Sequence, residues 1–175
     1  MKKTESGQHA GSSHASVLFL TQAAIIAALY VALTLIFQPI SYGEVQMRVS
    51  EALTILPYFT PAAIPGLFAG CLIANILGGA IIWDIVFGSI ATLIGAVFSW
   101  LLRKNRWLVP IPTILANTVI VPLVLKFGYG VDLPLWLEAL AIFAGESVSC
   151  YVFGEILLSA LKPVRVAVFG KPTAA

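Results

Sequence analysis

Residues 16–37 read SVLFLTQAAIIAALYVALTLIF, a run that contains no charged side chain. A helix needs about 20 consecutive apolar residues to cross the hydrocarbon core of a bilayer. The run is long enough to do so, and it exceeds the short apolar core of a secretory signal peptide. It therefore predicts a retained first membrane helix.

The composition of the whole chain also indicates a membrane protein. Of its 175 residues, 59% are hydrophobic and 10% are charged, whereas about 25% of the residues of a soluble domain are charged. Too few polar side chains remain to cover a soluble fold. The length fits one domain, and we predict an all-α integral membrane protein.

Hydropathy and the positions of Pro and Gly divide the chain into six apolar segments. The predicted transmembrane helices are 16–37, 49–60, 62–80, 84–102, 108–126 and 135–161. The second is short, because about 12 α-helical residues rise only about 18 Å. We expect it to be broken, tilted or buried by its neighbours.

The predicted helices form one six-helix transmembrane domain over residues 16–161. We expect residues 1–15 to be a disordered cytoplasmic tail, and residues 162–175 to be a basic cytoplasmic tail. An even number of crossings places both tails on one side of the membrane.

The basic residues predict which side this is. Most of them would share the side of the tails: Lys2, Lys3, Arg103, Lys104, Arg106, Lys162, Arg165 and Lys171. Cytoplasmic loops carry an excess of Lys and Arg. We therefore predict a multi-pass protein of the bacterial plasma membrane with both termini inside.

Two predicted helices carry small residues at four-residue spacing, which lets another helix approach closely. The stripe in the first helix is Ala24, Ala28 and Ala32, and the stripe in the third is Ala62, Gly66, Gly70, Ala74 and Gly78. We interpret the third-helix stripe as packing within the chain. The first-helix stripe fits either internal packing or a partner subunit.

Polar groups at membrane depth and beside the predicted outward loops, which gather toward the outer face, are the candidate site. Each ionisable residue at membrane depth costs about 2.5 kcal/mol or more, so a retained one indicates function. Carboxylates accept N–H groups, amides donate and accept, and aromatic rings stack, which together predict a pocket for a planar, hydrogen-bonding ligand. The candidate residues are Glu51, Glu146, Asn75, Asn117, Asp84, Glu138, Arg48, Tyr42, Trp83 and Trp136.

Structural interpretations compete with some of these assignments. Arg48 would pair locally with Glu51 or Glu44, and both tryptophans would anchor the chain at the membrane interface. The two cysteines lie in apolar runs without metal-ligand spacing, which is typical of packing residues.

The sequence contains no GxxxxGK[ST], HExxH or GxSxG motif, and no predicted helix contains a histidine. These motifs mark ATP hydrolysis, zinc hydrolases and serine hydrolases. We therefore predict no enzymatic activity, no metal and no cofactor in this chain. Uphill transport would need a partner that supplies energy.

Residues 48–79, RVSEALTILPYFTPAAIPGLFAGCLIANILGG, followed by DIVFGSIATLIGA at 84–96, resemble the QueT family of queuosine-precursor transporters. The similarity extends over residues 20–160, including AIIAALYVALTLIF at 24–37 and GESVSCYVFGEILL at 145–158. Members of this family are substrate-binding S components of energy-coupling factor (ECF) transporters.

The resemblance implies a six-helix S-component bundle that captures a 7-deazaguanine base outside the cell and delivers it inward. The base would be 7-cyano- or 7-aminomethyl-7-deazaguanine, or queuine. The implied partners are the transmembrane coupling protein EcfT and two cytoplasmic ECF ATPases that use ATP, with no nucleic acid.

The resemblance also implies roles for particular residues. The Ala24, Ala28 and Ala32 face would dock on the coupling protein, and the loop QPISYGEVQM at 38–47 would close over the substrate. Glu51 and Glu146 would accept guanine-type N–H groups. The polar shell would be completed by Asn75, Asn117 and Asp84, with Tyr42, Trp83 or Trp136 stacking on the base.

Three alternatives remain open from the sequence. In the first, the chain is an S component for another small molecule such as riboflavin, thiamine or biotin, which competition binding would distinguish. In the second, it is a membrane enzyme or a scaffold subunit that transports nothing. In the third, it transports alone without ATPases, which accumulation of substrate by the isolated chain in liposomes would show.

Overall fold

The computed structural model of the protein describes residues 5–41 and 47–170, with side chains from Ala15 onward. All regular structure in these ranges is helical. The α-helices are α1 (Glu5–Ile36), α2 (Gln38–Ser41), α3 (Ala63–Leu77), α4 (Ile82–Leu101), α5 (Ile111–Val124), α6 (Leu135–Ser147), α7 (Gly154–Leu161) and α8 (Arg165–Phe169). The chain also forms 3₁₀ helices at Val49–Tyr58 and Lys162–Val164, and π-helical segments at Leu125–Tyr129 and Val148–Phe153.

Three stretches among the described residues are long and apolar enough to cross a membrane: Ala15–Ile36, Ile82–Leu101 and Ile111–Tyr129. α3 is a shorter apolar helix. The outer surface is rich in exposed Leu, Ile, Val and Phe side chains, as expected where lipid is the solvent. The fold is therefore a helical membrane bundle.

The helices of the structure do not test two features of the predicted topology. The count of six crossings and the cytoplasmic placement of both termini stay predictions. α1 begins within the predicted N-terminal tail, and α8 lies in the predicted C-terminal tail. The disorder expected for residues 1–15 also stays a prediction.

The second predicted helix forms as the 3₁₀ helix Val49–Tyr58, in which residues 50–57 are all buried. Ten residues of 3₁₀ helix rise about 20 Å, which is less than the hydrocarbon thickness of about 30 Å. α1, α3, α4 and α7 surround it. Of the three outcomes expected for this segment, burial by its neighbours is therefore the observed one.

The small-residue stripe of α3 packs against α1. A Cβ added to Gly66 would lie 2.8 Å from the Ala23 carbonyl oxygen, and one added to Gly70 would lie 2.7 Å from Tyr30 Cβ. Such distances leave no room for a side chain, so the two helices touch through their backbones. The prediction that this stripe serves packing within the chain is confirmed.

The long sixth segment is not one continuous α-helix. The π-helical segment Val148–Phe153 separates α6 from α7. π-helical turns inside α-helices are frequent at functional sites, because the extra residue per turn changes the direction of side chains. Here the interruption begins two residues after Glu146 and contains Cys150, and it packs against the central 3₁₀ helix.

Candidate functional site

The centre of the bundle contains two carboxylates, Glu51 and Glu146, which we call the inner acid pair. Glu51 lies in the first turn of the 3₁₀ helix and is fully buried, and Glu146 in the last turn of α6 is 4% exposed. The Tyr30 hydroxyl donates a hydrogen bond to Glu51 Oε1. Asn117 Nδ2 of α5 donates one to Glu146 Oε1 over 3.0 Å. Four separate elements thus meet at the two acids.

Cys150 completes the surroundings of the inner acid pair. Its thiol lies 3.5 Å from Glu146 Oε2 and 3.7 Å from the Glu51 carbonyl oxygen. Ligand atoms of the two acids and of this cysteine all lie within 4.8 Å of one another. A divalent ion could use such a set. However, Glu51 already accepts a hydrogen bond from Tyr30, and Glu146 accepts one from Asn117. Such hydrogen-bonded carboxylates are suited to binding a ligand with N–H donors.

A second polar group, the outer ion cluster, consists of Arg48, Asn75, Asp84 and Tyr129. Arg48 Nη2 lies 3.5 Å from Asp84 Oδ2, and both side chains are almost fully buried. The Tyr129 hydroxyl donates to the same carboxylate over 3.3 Å. Asn75 Nδ2 donates to the Asp84 carbonyl oxygen over 3.2 Å. The cluster joins α3, α4 and the end of the π-helical segment after α5.

Among the described residues, Arg48 forms its ion pair with Asp84 rather than with Glu51. The expected pairing with Glu44 lies outside the described residues and stays a prediction. The closest described carboxylate is Asp84 of α4, which lies far along the chain. The guanidinium still interacts electrostatically with Glu51 and Glu146. It lies between the two polar groups and supplies positive charge to both.

Glu138 differs from the other candidate acids. It lies in the first turn of α6 and is only 1% exposed. Neither carboxylate oxygen has a hydrogen-bond partner among the described residues. It shares a helix face with Glu146, because the two are separated by eight residues, or a little over two turns.

The aromatic candidates lie elsewhere. Trp83 is 55% exposed and stacks on Phe87, with ring centroids 5.8 Å apart, and Trp136 is 69% exposed. Such exposure in a membrane bundle matches the interface-anchor interpretation more closely than substrate stacking. Tyr42 lies outside the described residues.

A large cavity also lies away from the acids. Its volume is about 580 Å³, and its lining is apolar: Trp83, Phe87, Ile120, Leu123, Val124, Phe127 and Gly128. None of the buried carboxylates contributes to it. The acids are instead buried by surrounding side chains, which must move to admit a ligand.

Residues near the predicted cytoplasmic end form a separate group. Arg106 Nη2 lies 3.0 Å from Glu155 Oε2, which connects the α4–α5 loop to α7. Phe59 stacks on Phe169, with centroids 5.0 Å apart, so α8 folds back onto the end of the 3₁₀ helix. Glu155 thus lies outside the candidate site, and its partner is Arg106.

Sequence reasoning missed three members of the site. Tyr30 was not selected because it lies in an apolar helix. A phenol at membrane depth needs a hydrogen-bond partner, so its position could have indicated a polar site nearby. Cys150 was interpreted as a packing residue, which fits Cys71 in the hydrophobic core but not Cys150 beside two acids. Tyr129 was not among the candidate residues, and its contact with Asp84 depends on the π-helical segment.

Comparison with known proteins gives the family. A protein of Lactococcus lactis subsp. cremoris named Queuosine precursor transporter QueT is 42% identical over 74 residues, which are 41% of this chain and 43% of that protein. The alignment thus spans less than half of that relative. No solved structure matches the chain. The model of the family described as QueT transporter matches residues 20–163, so the chain belongs to the QueT transporter family.

Proposed function

We propose that this chain is the substrate-binding S component of an ECF-type importer for a 7-deazaguanine base. The observation that supports this most directly is the inner acid pair, two buried carboxylates from different elements at the centre of a membrane bundle. The name of the Lactococcus lactis relative refers to a queuosine precursor. The proposal gives the buried acids a ligand of matching chemistry.

The hydrogen bonding of the pair favours a guanine-type edge. Glu51 Oε2 has no hydrogen-bond partner among the described residues, although Glu51 is fully buried. A buried carboxylate oxygen without a donor costs about 1–3 kcal/mol or more. The ring N–H and the neighbouring amino group of a deazaguanine present two adjacent donors, which a carboxylate accepts together.

The same arrangement provides discrimination. A ligand without adjacent donors would leave the carboxylates buried and unsatisfied, which is the strongest way for a site to reject an analogue. The Asn117 amide can rotate to donate to one group and accept from another. The Asp84 carboxylate and the Asn75 amide would complete the polar shell.

Access requires movement near the loop at 38–47. The backbone N–H of Met47 donates to the Ile40 carbonyl oxygen over 3.0 Å, so the two ends of this loop lie together. Residues 42–46 between them lie outside the described residues. We propose, as the family resemblance implies, that the segment 38–47 closes over the bound substrate.

The first-helix stripe is free for a partner. Ala24, Ala28 and Ala32 are all exposed, while the buried face of α1, with Ile26 and Tyr30, packs on α3. Two different faces of α1 therefore carry small residues, and one is already occupied. We propose that the exposed face docks on EcfT, which is in turn driven by two cytoplasmic ATPases. In this arrangement both termini are cytoplasmic.

The decisive experiment measures ligand binding by the purified protein with isothermal titration calorimetry. We expect 7-aminomethyl- or 7-cyano-7-deazaguanine to bind, and riboflavin, thiamine and biotin not to compete. Tight binding of one of those vitamins without binding of a deazaguanine would overturn the substrate assignment.

Matched variants test the acids themselves. Glu51→Gln and Glu146→Gln should each weaken binding about ten- to hundredfold, since a hydrogen bond to a charged group contributes about 1.5–3 kcal/mol. Asp132→Asn is the control, because Asp132 is fully exposed in the α5–α6 loop. If this control weakened binding as much as the two test variants, the inner acid pair would not be the site. Addition of EDTA should leave the affinity unchanged, and a loss would favour an ion on Glu51, Glu146 and Cys150.

A further inference from the structure

We propose that Glu138 is the counter-ion for a cationic amine on the substrate, and that the protein therefore prefers an aminomethyl base to a neutral one. This inference rests on the proposed function and specifies it. It assigns to Glu138 a role that the inner acid pair and the outer ion cluster do not fill.

Glu138 is the one buried acid of the described residues that accepts no hydrogen bond. The other three each accept one from a tyrosine or asparagine side chain. Glu138 is just as deeply buried, at 1% exposure, yet both of its oxygens are without a hydrogen-bond partner within the described ranges. Because an unpaired buried carboxylate is costly, the arrangement points to a donor that arrives from outside the chain.

The charge balance of the buried side chains indicates what kind of donor this is. Among the described residues, the buried acidic and basic side chains are four carboxyl groups and one guanidinium: Glu51, Asp84, Glu138, Glu146 and Arg48. Arg48 lies against Asp84. The N–H groups of a neutral base offset the remaining negative charge only partly, whereas an ammonium group offsets one full charge.

The geometry of α6 allows one ligand to reach both acids. Glu138, Ile142 and Glu146 lie on one buried face of this helix. Eight residues of α-helix rise about 12 Å, which matches the span of a fused bicyclic ring with a hydrogen bond at each end. Ile142 is buried between the two acids, so it must shift to admit the ring. The amino edge of a 7-deazaguanine and its 7-substituent project from opposite ends of the ring. With the amino edge at the inner acid pair, a 7-aminomethyl group extends past Ile142 toward Glu138.

The experiment compares two ligands that differ by one atom, 7-aminomethyl- and 7-hydroxymethyl-7-deazaguanine, in calorimetric titrations of the purified protein. We expect the amine to bind about ten- to hundredfold more tightly to the unaltered protein, as a charge-assisted hydrogen bond predicts. Glu138→Gln should reduce this ratio to near one by weakening the amine alone. Asp132→Asn, which removes an exposed charge, should leave the ratio unchanged.

Two results would overturn the inference while leaving the proposed function intact: equal affinities for both ligands in the unaltered protein, or a ratio that survives in Glu138→Gln. If neither ligand binds at all, the proposed function fails and the inference with it. Glu138→Asp gives a second variant in case the glutamine does not fold. It keeps the charge but shortens the side chain, and we expect an intermediate ratio, so a ratio equal to that of the unaltered protein would count against the inference.

Discussion

Removal of the Tyr30 hydroxyl tests whether the inner acid pair is an energetic centre of this fold. Tyr30 and Glu51 are both fully buried, and the hydroxyl is the side-chain donor that Glu51 has among the described residues. In Tyr30→Phe, Glu51 Oε1 loses its partner, and Glu51 Oε2 has none there already. The substitution therefore leaves a buried carboxylate without any described side-chain donor.

The expected cost follows from this isolation. A buried acceptor left without a donor loses about 1–3 kcal/mol, and more when it is charged, so we expect about 2 kcal/mol. For a chain of this size each kcal/mol lowers the melting temperature by about 2–4 °C, which gives about 4–8 °C. A phenylalanine fills almost the same volume, so the loss of packing contributes little.

A thiol-reactive dye provides the assay in detergent solution. Both cysteines of the chain, Cys71 and Cys150, are free and buried, so they react when the bundle opens. The control is Tyr58→Phe, because Tyr58 is only partly buried and its hydroxyl makes no hydrogen bond to the described residues. We expect the control to shift the melting temperature by less than the test variant does.

A double-mutant cycle isolates the contact. In a Glu51→Gln background, Tyr30→Phe should cost at least about 1 kcal/mol less, since residues in direct contact couple by about 0.5–3 kcal/mol. The reasoning is refuted if Tyr30→Phe costs the same in both backgrounds, or if it shifts the melting temperature no more than Tyr58→Phe.

Three further predictions concern the stripes and the outer ion cluster. Ala28→Trp should abolish most co-purification with the coupling protein while ligand binding persists. Ala144→Trp, on the exposed side of α6, should leave co-purification unchanged. An unchanged yield of the complex for Ala28→Trp would contradict the docking face. Gly70→Ala should destabilise the protein in thermal unfolding by about 1–3 kcal/mol through overpacking against α1. Gly154→Ala is the control: its Cβ would meet nothing closer than 3.6 Å, so it should be neutral or stabilise by up to about 1 kcal/mol. Equal shifts for the two variants would disprove the close approach of α1 and α3. Gly88→Ala places a Cβ 2.8 Å from the carboxylate of the outer ion cluster and should weaken deazaguanine binding about tenfold by calorimetry, so an unchanged affinity would remove that cluster from the polar shell.

Hydropathy was sufficient to predict the helical membrane class, because the requirement to bury backbone polar groups leaves few structures possible in lipid. It did not predict the helix types. The segments 49–60 and 135–161 are as apolar as their neighbours, and only the packing around Pro57 and after Glu146 makes one a 3₁₀ helix and interrupts the other with a π-helical segment. 3₁₀ helices have poorer hydrogen-bond geometry than α-helices and rarely exceed a few residues, so tertiary contacts rather than local preference must stabilise the ten residues seen here.

The candidate site was likewise predictable from the sequence only in part. The cost of burying an acid predicted that Glu51, Glu146 and Asn117 have a common environment, and the structure brings them together. The partner of Arg48 was not accessible from the sequence, because it depends on how α4 crosses the 3₁₀ helix. For the same reason the sequence did not indicate which alanine face of α1 would be occupied.

The energetics of the buried acids connect stability with function. Both carboxylate oxygens of Glu138 and Oε2 of Glu51 are buried without a donor among the described residues, which lowers the stability of the unliganded bundle because a buried carboxylate needs an opposite charge or a donor. A ligand that binds only the folded state raises stability by RT ln(1 + [L]/Kd). The same groups therefore lower the stability of the unliganded protein and provide its affinity. A chain selected only for stability would replace Glu138 with an apolar residue, so its position in the first turn of α6 is best explained by a ligand that arrives with positive charge.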